Sequence, residues 1–192
     1  MKCKVDIDGL KSCLLSPDFN VQTAGLEEAR KAISEIVVVA VQGLEYTQNK
    51  SLYADWLSSL GVMIVPELEK FYLASVSGET RTHAALMLLY FGSKVGLTDV
   101  MAALTLENPL QFFAASKLAN AGIVEASAAI MALLRDYVFT QPLDQEEQAS
   151  KIHTLISALK KLEIEIPGDI KERLMAPGVS KYVSALVTRP VR

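Results

Sequence analysis

A segment in the middle of this chain repeats itself thirty residues later, without insertion or deletion. Residues 77–104 align with residues 107–134, and the shared positions are small or aliphatic. The alignment pairs Ala84 with Ala114, Ala85 with Ala115, Leu88 with Leu118, Gly92 with Gly122, Val100 with Ile130, Met101 with Met131, Ala102 with Ala132 and Leu104 with Leu134. Such a period is typical of stacked helical pairs, and arrays of this kind usually bind other molecules. The repeat therefore predicts an all-α fold and favours a binding function.

Glycines mark the ends of the apolar helices in this array. Gly61, Gly92 and Gly122 each follow an apolar segment, at spacings of 31 and 30 residues. A glycine in this position can adopt the left-handed conformation that terminates a helix. Because Ala54 and Leu57 also fit the pattern ahead of Gly61, we expect the array to begin before the exact repeat.

The N-terminal part of the chain is also predicted to be helical. We expect a short helix over residues 5–15 and a long one over 21–46, with Asp18 or Asn20 as the cap between them. The β-branched run 36–41 would suit a buried strand, but one strand among helices leaves its backbone groups unpaired. We therefore expect a fully buried helix there.

After residue 137 the repeat pattern fades. Asp144, followed three residues later by Glu147, predicts a capping box at the start of a helix. An amphipathic stripe follows over residues 149–162, and short helices are expected after Pro167 and Pro177. Atypical ends suit a repeat array, because a terminal unit must present a polar face to water.

The repeat resembles the HEAT-like family, in particular its short bacterial form of about thirty residues. The resemblance rests on Arg81 ahead of the paired alanines, and on the glycine that closes the first helix. The second copy departs from it, since Gln111 stands at the position of Arg81 and two phenylalanines replace Thr82 and His83.

This resemblance implies an α-α superhelix, that is, a HEAT-like solenoid of roughly ten to twelve helices. One domain is expected to span residues 1–192. The repeats are clearest over residues 50–135, and residues 1–48 and 144–192 are expected to form atypical capping helices.

Charge and hydropathy narrow the range of partners. The net charge is −3 and the calculated pI is near 5.5, which argues against a nucleic acid partner, although the tail with Lys181, Arg189 and Arg192 is mildly basic. No stretch of eighteen apolar residues occurs and the N-terminus does not resemble a secretory signal. We expect a cytoplasmic protein with no membrane partner.

Cys3 and Cys13 are too far apart along one helix to form a disulfide, and Cys13 is expected in the core.

The sequence contains no recognisable catalytic motif. It lacks a phosphate-binding glycine loop followed by Lys-Ser/Thr and a Gly-x-Ser-x-Gly elbow. The two histidines, His83 and His153, have no carboxylates at metal-ligand spacing, so structural or interface roles are expected for both. We therefore predict no catalytic residue, no metal site and no cofactor.

Aromatic side chains are the main sequence candidates for a binding surface, because Tyr and Trp bury a large area at low entropic cost. Phe71, Phe91 and Phe112 are assigned to the core, and Trp56 to the core or a groove wall. Other aromatic residues and their possible polar neighbours are assigned to the surface. The predicted protein-binding residues are Tyr53, Arg81, His83, Tyr90, Asp99 and Phe113.

The sequence thus predicts a non-catalytic protein-binding module. Small acidic bacterial proteins of this architecture include immunity proteins, which inhibit a cognate toxin, and an adaptor or scaffold role is equally compatible. The alternative is a HEAT-like enzyme of the lyase or DNA glycosylase type, which requires a basic or cofactor-sized cleft. Self-association is a further option, since residues 82–134 carry few charges and one of their faces could pack against a second copy.

Overall fold

A computed structural model describes residues 7–76, 78–177, 179 and 184–185. These residues form an all-α protein, and no strand occurs among them. The chain divides into two compact units, Met1–Ala74 and Ser75–Arg192. The predicted all-α class is confirmed, while the organisation as one domain stays a prediction. Cys3, the basic tail residues and the start of the helix expected after Pro177 lie outside the described residues.

Residues 7–74 of the first unit form four α-helices and one short 3-10 turn over Gly61–Ile64. The α-helices are α1 (Ile7–Leu14), α2 (Phe19–Tyr46), α3 (Lys50–Ser58) and α4 (Val65–Ala74). The long helix α2 packs against the other three. It begins where Asp18 accepts a hydrogen bond from the backbone N–H of Asn20, at 2.8 Å, which confirms Asp18 as the cap.

The β-branched run in α2 is helical, but it is not fully buried as predicted. Val37, Ala40 and Val41 lie in the core, whereas Ile36 is 54% exposed and Val39 is 68% exposed. The helical period explains the correction, because a helix packed on one side turns every third or fourth residue away from the core. The prediction of a helix is confirmed, whereas the prediction that this segment is fully buried was wrong.

Residues 78–177 of the second unit form six α-helices and a 3-10 turn over Val124–Ala126. These helices are α5 (Gly78–Tyr90), α6 (Leu97–Ala102), α7 (Gln111–Asn120), α8 (Ser127–Thr140), α9 (Glu146–Lys161) and α10 (Gly168–Leu174). Helix α7 packs against both α5 and α9, and α8 packs against α9 and α10. The core therefore runs along α7 and α9.

The thirty-residue register is visible in the burial of the two copies. The alanine pairs of α5 and α7, together with Leu88 and Leu118, are completely buried. The second helices of the two copies begin at Leu97 and Ser127, again thirty residues apart. These buried small residues lie on two helices, α5 and α7, that pack against each other.

The three predicted glycine stops are confirmed. Gly61, Gly92 and Gly122 have φ angles of 71°, 84° and 68°, in the left-handed region that favours glycine. In the second unit, the backbone N–H of the residue after the glycine donates to the carbonyl oxygen of a buried leucine. The Ser93 N–H, for example, bonds to the Leu88 carbonyl oxygen at 2.9 Å. This bond satisfies a carbonyl at the helix end.

Two finer predictions were wrong. The capping box is absent, because α9 starts one residue later than predicted: Gln145 occupies the cap without a side-chain hydrogen bond. Glu147 pairs instead with Lys151, at 2.6 Å between carboxylate and ammonium. Cys13 is half-buried rather than in the core, at the point where α1 lies close to Gly25 of α2.

Candidate binding surface at the ends of three helices

Tyr53 is the one predicted binding residue that belongs to the first unit. Its hydroxyl donates a hydrogen bond to the carbonyl oxygen of Ala40 in α2, at 2.7 Å, and desolvation raises the pKa of this phenol. Gly43 leaves room for the ring, since a Cβ there would overlap the Tyr53 hydroxyl. Tyr53 therefore joins α3 to α2, with its ring beside that of Trp56.

Three of the predicted residues lie in the interior or in an ion pair of the second unit. The Arg81 Nε of α5 donates to the Asp99 carboxylate of α6 at 2.6 Å, and both side chains are partly exposed. His83 is buried, and its Nδ1 lies 3.0 Å from the Glu79 carbonyl oxygen. A carbonyl only accepts, so Nδ1 carries the proton. This burial weakens the prediction that His83 contacts a partner.

The remaining two predicted residues are open to solvent. Tyr90 is 56% exposed at the end of α5, and Phe113 is 53% exposed in the first turn of α7. Trp56 is also half-exposed, so it does not belong to the core. The three phenylalanines assigned to the core, Phe71, Phe91 and Phe112, are only partly buried.

Tyr90 stands at the edge of a cavity of about 530 Å³ where α5, α7 and α9 end. We call it the lysine cavity because three lysines line it. Its lining residues are Leu89, Tyr90, Gly92, Lys94, Lys117, Asn120, Ala121, Ile123 and Lys161. They come from the first copy of the repeat, from the second copy and from α9. These three parts of the chain meet because α7 packs against both α5 and α9.

Two of the three lysine side chains contact neutral groups. The Lys117 ammonium lies 4.2 Å from the centroid of the Tyr90 ring, which is a cation–π geometry. The Lys161 ammonium donates to Asn120 Oδ1 at 2.6 Å. Within the described part of the chain, Lys94, Lys117 and Lys161 form no ion pair with a carboxylate. The cavity is therefore a concentration of positive charge on an acidic protein.

A smaller cavity of about 250 Å³ adjoins the first and shares Asn120 and Lys161 with it. Here α7 faces α9, and the partly buried His153 has its Nε2 3.4 Å from the Ser157 hydroxyl. The two cavities extend the polar surface along α9. The position of His153 beside a cavity agrees with the interface role considered for it.

Among the described residues, no group of three or more histidines, cysteines or carboxylates could hold a metal ion. None of the helices in that part of the chain is both long and apolar enough to span a membrane. No protein-family model, curated protein or solved structure significantly matches this chain.

The sequence pattern pointed to Tyr90 but not to the lysines. Lys117 lies in the last turn of α7, Lys161 ends α9, and Lys94 follows the glycine stop of α5. Cations are common at helix C-termini because they complement the helix dipole, so each lysine taken alone carries no functional signal. Placing the three helix ends side by side would have revealed the shared charge.

Proposed function

We propose that this chain is a non-catalytic protein-binding module and that its partner contacts the second unit through Tyr90 and Phe113. The observation that carries the proposal is the exposure of these two aromatic rings, with Tyr90 at the edge of the lysine cavity. Aromatic residues are enriched in protein interfaces, and tyrosine is enriched among the residues that dominate binding energy. A cytoplasmic role as an immunity protein, inhibitor or adaptor is compatible with this proposal.

We also propose that the helices stack as a HEAT-like solenoid. The supporting observation is the packing of α5 on α7 and of α7 on α9, with equivalent small residues buried in the two copies of the repeat. In such arrays each pair contacts its neighbours, and the exposed ends and faces are free to bind. The binding surface would then be continuous across successive repeats.

The test is affinity capture from the source cell lysate, followed by mass spectrometry. The tagged wild type is compared with a Tyr90→Ala/Phe113→Ala variant and with a Phe139→Ala control, since Phe139 is a similarly exposed aromatic residue of α8 in the same unit. We expect the wild type and the control to capture one partner protein in stoichiometric amount, and the double variant not to capture it. Circular dichroism must show that all three are folded. Equal capture by the double variant would refute the assignment of these rings.

The lysine cavity is the specific observation that favours the alternative, an enzyme acting on DNA, because that alternative requires a basic cleft. No carboxylate lines the described cavity, which leaves a glycosylase-type reaction without a general base at this place. Salt-dependent binding of duplex DNA together with base excision would support the enzyme. Neither activity is expected from a protein-binding module.

A further inference from the structure

The lysine cavity has more positive charge than its structural role requires. A lysine at a helix C-terminus stabilises the helix by interacting with the negative end of the dipole, which is equivalent to about half an elementary charge. Three helices end at this cavity, at Tyr90, Asn120 and Lys161. Their combined contribution is therefore roughly −1.5 charges, on the same scale. Three ammonium groups exceed this, leaving an excess of roughly +1.5.

In the described structure, no carboxylate lines the cavity or forms an ion pair with its lysines. The five ion pairs of the described residues involve other cations, and the cavity lining contains no carboxylate. Like charges in a confined space repel one another, because the protein lowers the effective dielectric constant around them. The cavity is thus complementary to an anion, and a multiply charged anion gains the most.

We infer that the lysine cavity binds a small organic molecule that carries two or more linked phosphate groups. Lysine binds phosphate as a flexible point charge, whereas arginine is favoured where a planar group is held in a bidentate manner. The volume of about 530 Å³ lies within the ordinary range for small-molecule sites. Leu89 and Ile123 form an apolar wall suited to the organic part, and the Asn120 amide can donate hydrogen bonds.

This inference goes beyond the proposed protein-binding function and does not depend on it. The two assignments share Tyr90, whose ring is held under the Lys117 ammonium. An anion that draws Lys117 toward itself changes the environment of this ring. Binding at the cavity is therefore expected to alter the ring signals of Tyr90 and leave those of Tyr72, buried in the first unit, unchanged.

The test is isothermal titration calorimetry of the full chain with sodium tripolyphosphate and with ATP, without added divalent metal. We expect saturable one-to-one binding that weakens as salt is added, because dissolved ions screen the attraction between the lysines and the phosphates. Tighter binding of ATP than of tripolyphosphate assigns the apolar wall to the organic group. Absence of saturable binding by both probes would overturn the inference.

Charge-matched variants separate the cavity from general attraction. Lys117→Gln/Lys161→Gln is expected to weaken tripolyphosphate binding by roughly tenfold or more, through the loss of two charge-assisted contacts. Lys151→Gln/Lys171→Gln removes the same charge from lysines that pair with glutamates outside the cavity, and should change affinity less than about twofold. Equal weakening by the two variants would contradict the assignment.

Two further measurements keep the outcome decisive. If the cavity double variant does not fold, Lys94→Gln replaces it, because Lys94 is exposed and lies in the loop between α5 and α6. A single-stranded DNA oligonucleotide is titrated in parallel. If the oligonucleotide binds much more tightly than ATP and displaces it, the cavity is part of a nucleic acid surface and the small-molecule assignment is wrong.

Discussion

The two copies of the repeat in the second unit share their cores but differ in how their helices are joined. In the first copy, the half-exposed Arg81–Asp99 ion pair connects α5 to α6. In the second, the buried Gln111 donates from Nε2 to the Tyr137 hydroxyl of α8 at 3.0 Å and to the Leu106 carbonyl at 3.3 Å. The comparison shows that a repeat can conserve its apolar packing while it exchanges a solvated ionic link for a buried polar one.

The second helices of the copies also differ in length. Both start at equivalent positions, but α6 ends at Ala102 while α8 continues to Thr140. A helix as long as α8 could not form in the first copy, because Pro109 disfavours helical geometry at Asn108 and cannot donate a backbone hydrogen bond. The additional turns of α8 carry Arg135, which pairs with Asp169 of α10 at 2.6 Å. Only the second copy therefore gains this link.

The largest effects should come from the shared core. Leu88→Ala and Leu118→Ala are each expected to lower the free energy of unfolding by roughly 2–5 kcal/mol, because both leucines are fully buried. Leu118 should be the more sensitive, since α7 packs on both α5 and α9. Urea unfolding measures the change, with the half-exposed Leu106→Ala as the control. A loss below about 1 kcal/mol at either leucine would break the equivalence of the copies.

The two links should differ in strength. Tyr137→Phe is expected to cost about 1–3 kcal/mol, because it leaves a buried amide donor of Gln111 without its shorter hydrogen bond. Asp99→Asn should cost about 0–1 kcal/mol, since water replaces the lost contact of a partly exposed ion pair. Chemical denaturation of both variants tests the contrast. Equal losses would show that burial does not distinguish the links.

The glycine stops should respond alike in the two copies. Gly92→Ala and Gly122→Ala are each expected to cost roughly 1–2 kcal/mol, because an L residue is strained at positive φ. A Cβ at either position meets no other atom within 4 Å, so the loss reflects the backbone alone. Gly168→Ala is the control, because this glycine is equally open and lacks a positive φ. A similar loss at all three positions would remove the backbone explanation.

The smallest expected effect concerns the Arg135–Asp169 pair. The hydrogen bond that Arg135 donates to Asp169 holds the pKa of the Asp169 carboxyl below the ordinary value. A lowered folded-state pKa gives a contribution to stability that is present at neutral pH and is lost as pH falls through that pKa. Arg135→Gln should raise the Asp169 pKa, measured by NMR titration, whereas Lys151→Gln should leave it unchanged. An unchanged pKa in Arg135→Gln would show that the pair does not persist in solution.

Local signals in the sequence were sufficient for much of the fold. The glycine stops, the buried Ala84 and Ala114 and the start of α2 at Asp18 depend on backbone conformation and helical periodicity over a few residues. The prediction of a capping box at Asp144 was wrong. Helix starts that differ by one residue compete with each other, and the local sequence did not decide between Asp144 and Gln145 as the cap.

Binding residues were harder to predict than helices. Tyr90 and Phe113 proved exposed, whereas His83 proved buried, although all three lie on apolar helices of the repeat. Their exposure depends on which neighbouring helix covers each face. Residue type alone does not contain that information, because both tyrosine and histidine are commonly found at intermediate burial.

The sequence by itself determined the all-α class, the thirty-residue register and the glycine stops, because these depend on contacts and torsion angles within one or two turns of helix. Only the tertiary structure decided that Lys94, Lys117 and Lys161 share one cavity. These residues are far apart along the chain and meet because α7 packs against both α5 and α9. Electrostatic complementarity depends on distance in space, so a basic cavity can form on a protein whose overall charge is negative.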